Sequence, residues 1–240
     1  MGTGAMVDAQ RAKALQDHRV VVFVRAPAVG RVKTRLAKHL DPRTVMELYQ
    51  AFVADVLAML AAGGYPVVIC YHPKEATAQM IAWLGETHRY LPQEGADLGA
   101  RMANAFKAVF AQGCRRALLI GTDFPDLPST IIRQGFEGLM REGAVLGPTY
   151  DGGYYLIGFA REHFAPDVFN AVPWGTQQVF EDTLARFKRL GRRPAILPRW
   201  RDIDEYKDLL AFRNDEAPGR QSAHHTRALL AALERNPNFE

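Results

Sequence analysis

Cysteine is scarce: Cys70 and Cys114 are the only two in 240 residues. Neither sits in a metal-ligand spacing, which excludes a zinc ribbon or a disulfide framework and fits two structural thiols in a reducing cytoplasm. Long apolar runs are missing as well. No uninterrupted stretch approaches the eighteen residues of a membrane span, and "MGTGAMVDAQRAKALQDH" at the N-terminus has no apolar centre for a secretory signal. Charge is nearly balanced, with a formal net of +4 and a pI of about 9.1. The basic residues are scattered rather than gathered into one aromatic-interleaved stripe, so a nucleic-acid reader is not expected. Repeats and low-complexity segments are absent. Two phosphate-binding spellings are absent too: Gly30 precedes Arg31 and Lys33-Thr34 lacks its glycine, so there is no P-loop, and no G-x-G-x-x-G occurs.

What is present is an alternation of short apolar runs and helical patterns. "VVFV" (21–24), "YPVVICY", "RALLIG", "AVLGPT", "GYYLIGF" and "RPAILP" read as strands. Between them "TVMELYQAFVADVLAMLAA", "KEATAQMIAWLG", "DLGARMANAFKAVFAQG", "STIIRQGFEGLMREG", "TQQVFEDTLARFKRLG", "DEYKDLLAFRN" and "QSAHHTRALLAALERN" carry helical spacing, with Asp97 expected to cap the third. Such alternation implies an α/β fold with a mostly parallel sheet covered on both faces. The expected division is an N-terminal extension over 1–19, a catalytic domain over 20–214 and a C-terminal helical extension over 215–240. In such sheets ligands bind beyond the carboxyl ends of the strands.

The stretch "VVFVRAPAVGRVKTRL" (21–36) places Arg25, Gly30, Lys33 and Arg35 in a loop at one such strand end. A basic loop leading to a helix capped by Thr34 suits a phosphate, and it is equally a solvated basic turn. "LLIGTDFPDLP" puts Asp123 and Asp126 after another apolar strand; Asp123 is a candidate ligand for Mg2+ or Mn2+, and Asp126 is expected to cap the following helix. "RWRDIDEYKDL" repeats the pattern with Asp202, a second candidate ligand, and Asp204, either ligand or helix cap. "YDGGYY" reads as a hairpin turn or as a site in which Gly152 and Gly153 admit a ligand, Asp151 accepts hydroxyl hydrogen bonds and Tyr154 stacks on a sugar or acceptor. Gln93, with Gly95 and Gly99 leaving room, is a candidate for the nucleobase, and Trp174 of "VPWGT" for the acceptor. His224 and His225 are adjacent on one helix, face different ways and are expected at the surface.

Together "FVRAPAVGRVKTRL", "GTDFPDLP", "GPTYDGGYYLIG", "VPWGT" and "RDID" resemble the rSAM/selenodomain-associated transferases, a bacterial family of the nucleotide-diphospho-sugar transferase superfamily. The likeness runs from about Val20 to Leu210, and the Lys33-Thr34-Arg35 loop is also similar to that of phospholactate guanylyltransferases. The resemblance implies a Rossmann-like GT-A fold, a nucleotide over the first strand and a divalent ion. It implies phosphate contacts for Gly30, Lys33 and Arg35, metal at Asp123, the base near Gln93 and the transferred group near Asp151 to Tyr154. Asp126 stands three residues after Asp123, so the Asp-x-Asp of glycosyltransferases is not spelled out. The activity expected is metal-dependent glycosyl transfer to a small acceptor, with Asp151 and Lys33 as catalytic candidates. The alternative is nucleotidyl transfer from an NTP to a sugar phosphate or phospho-acid.

Overall fold

The computed structural model describes residues 17–215 and 222–235. Most of the expected N-terminal extension and of the polar link at 215–220 therefore lies outside the described residues. Seven strands form one sheet: β1 (His18–Arg25), β2 (Val67–His72), β3 (Arg89–Pro92), β4 (Arg116–Ile120), β5 (Ala144–Pro148), β6 (Tyr154–Ala160) and β7 (Ala195–Ile196). Their spatial order is β3-β2-β1-β4-β6-β5-β7. Pairing is parallel throughout except for β6, which runs antiparallel to both β4 and β5.

Among the described residues seven α-helices accompany the strands, the last two following β7: α1 (Pro42–Ala62), α2 (Thr77–Leu84), α3 (Leu98–Ala111), α4 (Ser129–Glu142), α5 (Val179–Arg189), α6 (Tyr206–Arg213) and α7 (His224–Glu234). Alternation along the buried strands sorts the core. Val20, Val22 and Val24 of β1 face α1 and α4 through Val53, Leu60, Ile132 and Phe136, while Val21 faces α3 and α5 with Phe106, Phe110 and Phe187. Each such side chain contributes about 1.5–3 kcal/mol of apolar burial. A third cluster joins Leu48 and Phe52 of α1 to Leu209, Phe212 and Leu230 of α6 and α7. Asp55 of α1, buried, accepts from the N–H groups of His225 (2.8 Å) and Thr226 (2.9 Å) and from the Thr226 hydroxyl (2.6 Å), so it caps α7 from a neighbouring helix. His224 and His225 are exposed. By length and composition alone α1 is apolar enough to cross a membrane, with a mean hydropathy of 1.5, but half of that window is buried inside the fold.

Several local expectations are corrected. "KTRLAKHL" forms one 3-10 turn (Leu36–Lys38) without a side-chain cap, so Thr34 caps no α-helix. Lys33 has φ +46°, which turns the chain, and Leu36 anchors the loop in the third cluster instead. The helix start is at α1, where Asp41 accepts from the N–H groups of Arg43 and Thr44 with Pro42 at the first turn. Asp126 is not the cap of α4: it is buried and accepts a 2.9 Å hydrogen bond from the Trp200 indole. Asp97 does cap α3, through the N–H of Ala100. β3 escaped the strand pattern because its four residues are half-exposed and only one edge is paired.

Candidate active site

β1, β2 and β4 end on the same side of the sheet, and their ends open into a cavity of about 1130 Å³. That is large enough for a nucleotide and a second substrate together. The switch in strand order falls at β1 and β4, the usual position of a ligand crevice in such sheets. Tyr49 of α1 fixes the end of β1: its hydroxyl donates to the Arg25 carbonyl (2.9 Å) and accepts from the Arg25 N–H (2.7 Å). Burial holds that phenol firmly protonated.

Arg25, Lys33 and Arg35 line the cavity on the β1 side. The Lys33 side chain is only 5% exposed, and its Nζ lies 2.8 Å from Oδ1 of Asp123 and 3.4 Å from Oδ1 of Asp204. Arg35 pairs with the other oxygen of Asp204 at 2.7 Å. Asp204 is therefore neither a helix cap nor part of a three-ligand cluster with Asp123 and Asp202. Glu205 and Asp208 form the capping box of α6, and among the described residues no three acidic, histidine or cysteine side chains converge on one point. Asp204 instead serves the two basic residues of the loop. The Ile203 N–H donates to the Asp123 carbonyl (2.9 Å), which ties the two acidic segments together.

Asp202 is half-buried in the cavity, and its carboxyl is pushed up to about 6, first by burial, then by the neighbouring charge of Asp151, with a smaller push from Asp123. One oxygen of Asp151 is held by the Thr149 hydroxyl and the Gly153 N–H (3.1 Å), which orients the exposed carboxylate at the cavity wall. Hard oxygen donors on Asp123 and Asp202, crowded by like charge, form a donor set that a divalent ion completed by substrate phosphates would fit. Both cysteines are inert: burial raises Cys70 to about 12 and Cys114 to about 11.

Of the glycines expected near the ligand, most lie away from this cavity. Gly30, Gly95, Gly99 and Gly152 do not line it, although Gly152 lines a smaller pocket that shares Tyr150, Asp151 and Gln177 with it. A Cβ on Gly99 would meet the Trp174 ring at 2.7 Å, and one on Gly152 would meet the Gln177 carbonyl at 2.0 Å. These two positions let the 173–178 loop pack closely, which is how Trp174 reaches the cavity. Gly95, at φ +144°, accommodates the start of α3, and Gly30 is an open turn at φ +70°. Gly153 does line the cavity. Tyr154 lines it only with part of its ring: it packs edge-on against Trp174, and its hydroxyl points back to the Met102 sulfur. It is not a free stacking platform. Tyr150 is the exposed ring of the cavity, at 60%, with the Arg201 guanidinium over it at 5.4 Å from the ring centre.

Gln93 lies in the cavity with its amide N–H donated to the Cys70 carbonyl at 2.8 Å, which leaves its amide oxygen as the free end. Around it sit residues that sequence reasoning passed over: His72 at the end of β2 and Arg101 on α3. Burial first, then Arg101 and Arg25, lower the His72 pKa and keep the ring neutral. His72 occupies the strand end next to Arg25, a position that could have flagged it.

A family model described as "Uncharacterized protein conserved in bacteria (DUF2064)" matches residues 55–176, half of the chain. The crystal structure of a Desulfovibrio desulfuricans G20 protein, described provisionally as a nucleotide-diphospho-sugar transferase, is 36% identical to the chain. It superposes with a TM-score of 0.84, covering 91% of this chain and 95% of that one. CMP:2-keto-3-deoxy-manno-octonic acid synthetase complexed with CTP matches at 11% identity and TM-score 0.52 over 90% of this chain and 98% of its own. A nucleotidyl transferase from Methanothermobacter thermautotrophicus matches at 19% and 0.52 over 82% and 96%. These two share the fold. No curated protein sequence matches the chain.

Proposed function

The chain belongs to the bacterial family DUF2064, and from that premise we propose that it is a transferase using an activated nucleotide, moving a sugar from a nucleotide-diphospho-sugar to a small acceptor. The observation that carries this reading is the charge arrangement of one cavity: Arg25, Lys33 and Arg35 on the loop after β1, with Asp123, Asp151 and Asp202 in the same space. Cations suit a diphosphate, and carboxylates suit hydroxyls and a hard ion. The likeness to the Desulfovibrio protein supports it.

In this reading Lys33 and Arg35 hold the phosphate oxygens and Gln93 meets the base. Asp151, oriented by Thr149 and Gly153, takes the proton of the acceptor hydroxyl. As the acceptor oxygen bonds to the anomeric carbon, the bond from that carbon to the diphosphate breaks and a nucleoside diphosphate leaves. Asp123 and Asp202 would hold Mg2+ or Mn2+, which when bound supplies positive charge against the leaving diphosphate. The basic side chains then stabilise charge that grows in the transition state.

A second reading, nucleotidyl transfer, is favoured by one observation. Arg101, Arg201 and Lys207 line the cavity beside the three basic residues of the loop, and that much positive charge suits a triphosphate better than a diphosphate. The test is a product assay with Mn2+, a panel of nucleotide-sugars and a panel of acceptors. Release of nucleoside diphosphate matched by glycosylated acceptor supports sugar transfer. Pyrophosphate from an NTP and a sugar phosphate replaces it with the second reading, and neither product overturns both.

A further inference from the structure

A desolvated ammonium needs partners, and Lys33 has found them among the groups that a metal ion would use. Its side chain is 5% exposed, and Asp123 lies at 2.8 Å and Asp204 at 3.4 Å. Its backbone is held at φ +46°, a left-handed conformation that a lysine adopts only when its surroundings impose it. Asp204 is held in turn by Arg35 at 2.7 Å. The acidic end of the cavity therefore already contains a cation.

We propose that Lys33 is a built-in counter-ion that blocks Asp123 to free divalent metal, so that the protein takes its metal only as the metal–nucleotide complex. The inference rests on the reading of the cavity as a nucleotide and metal site. A free divalent ion approaching Asp123 meets an ammonium already on the carboxylate, and displacing it would strand a buried positive charge. A nucleotide changes the balance. Its phosphate oxygens offer the ammonium new anionic partners in the same cavity, and Arg35 stays on Asp204 or joins it on the phosphates. Lys33 moves from carboxylate to phosphate, Asp123 is released, and the ion accompanying the phosphates takes its place. Asp123 is never left without a cation: the ammonium leaves for the phosphates as the divalent ion, its charge offset by those phosphates, arrives.

The order of binding follows. Metal alone binds poorly, nucleotide alone binds through the basic loop, and the two together bind best. A site prepared for free metal would instead show three convergent ligands with no cation among them, unlike the arrangement here.

The test is an electron paramagnetic resonance titration of Mn2+ into the full chain, alone and with each of UDP, GDP, CDP and ADP, corrected for chelation by the nucleotide itself. Wild type is expected to bind Mn2+ weakly alone and at least about tenfold more tightly with its nucleotide. Lys33→Met is expected to bind Mn2+ alone at least about tenfold more tightly than wild type, and Lys33→Arg to behave as wild type does. Lys33→Gly, which relieves the positive φ, gives the same comparison if the Met variant folds poorly. Equal and tight Mn2+ binding by wild type and Lys33→Met without nucleotide overturns the counter-ion role and leaves the metal site standing. Absence of Mn2+ binding in every variant, with or without nucleotide, overturns the metal site and the proposal with it.

Discussion

Asp202 is the residue at which fold and site disagree most. Half-buried, with Asp151 and Asp123 as like-charged neighbours, its carboxylate is costly to the ligand-free protein. Asp202→Asn is therefore expected to raise the melting temperature of the ligand-free protein by a few degrees while reducing metal-dependent turnover at least about tenfold. A lower melting temperature in differential scanning calorimetry would contradict the assigned repulsion. Arg101 presents the opposite case. Among the described residues its guanidinium makes one hydrogen bond, a 3.3 Å contact to the Gly95 carbonyl, and has no carboxylate partner. Arg101→Ala is expected to weaken nucleotide binding about tenfold, at little cost in stability. Calorimetric titration showing unchanged affinity would remove Arg101 from the nucleotide subsite. Strand-end carboxylates were legible from spelling alone, because a charge directly after an apolar run has few structural excuses. The partners of Lys33 and Asp204 were not, since 171 residues separate them and only the folded chain brings them together.

At the scale of elements, the helix that closes the chain is secured by a side chain of another helix. Asp55 accepts three hydrogen bonds from the start of α7 and is 4% exposed. Asp55→Ala is expected to cost about 2–4 kcal/mol, read as a lower urea midpoint, with nucleotide affinity retained. A loss below about 0.5 kcal/mol would mean that α7 is held by Leu230 and its apolar neighbours alone. This dependence was invisible in sequence, where Asp55 looks like one polar interruption of an apolar helix. The same limit explains the glycines. Gly99 and Gly152 were legible as positions needing space, but whether ligand or protein fills that space depends on where the 173–178 loop packs.

For the whole molecule, the parallel core was the most legible feature. β1, β2 and β4 are buried on both faces and so spell continuous apolar runs, which alternate with amphipathic helices. β3, at one sheet edge, is short and half-exposed and leaves too little pattern to read, whereas β7 at the other edge was legible inside the apolar "RPAILP" although it is only two residues long. The position of the site followed from topology: strand ends gather Arg25, His72 and the Asp123 loop around one cavity, although they are far apart in sequence. The most direct measurement of whether that cavity takes a nucleotide with metal is a thermal-shift panel of NTPs and nucleotide-sugars, with and without Mn2+, on wild type and Asp123→Asn. A ligand at about a hundred times its dissociation constant adds roughly 2.7 kcal/mol, a shift of several degrees in a chain of this size. The expected result is such a shift from at least one nucleotide-diphospho-sugar, larger with Mn2+ in wild type and independent of Mn2+ in Asp123→Asn. No shift from any nucleotide or nucleotide-sugar, or an equal Mn2+ effect in both proteins, would contradict it.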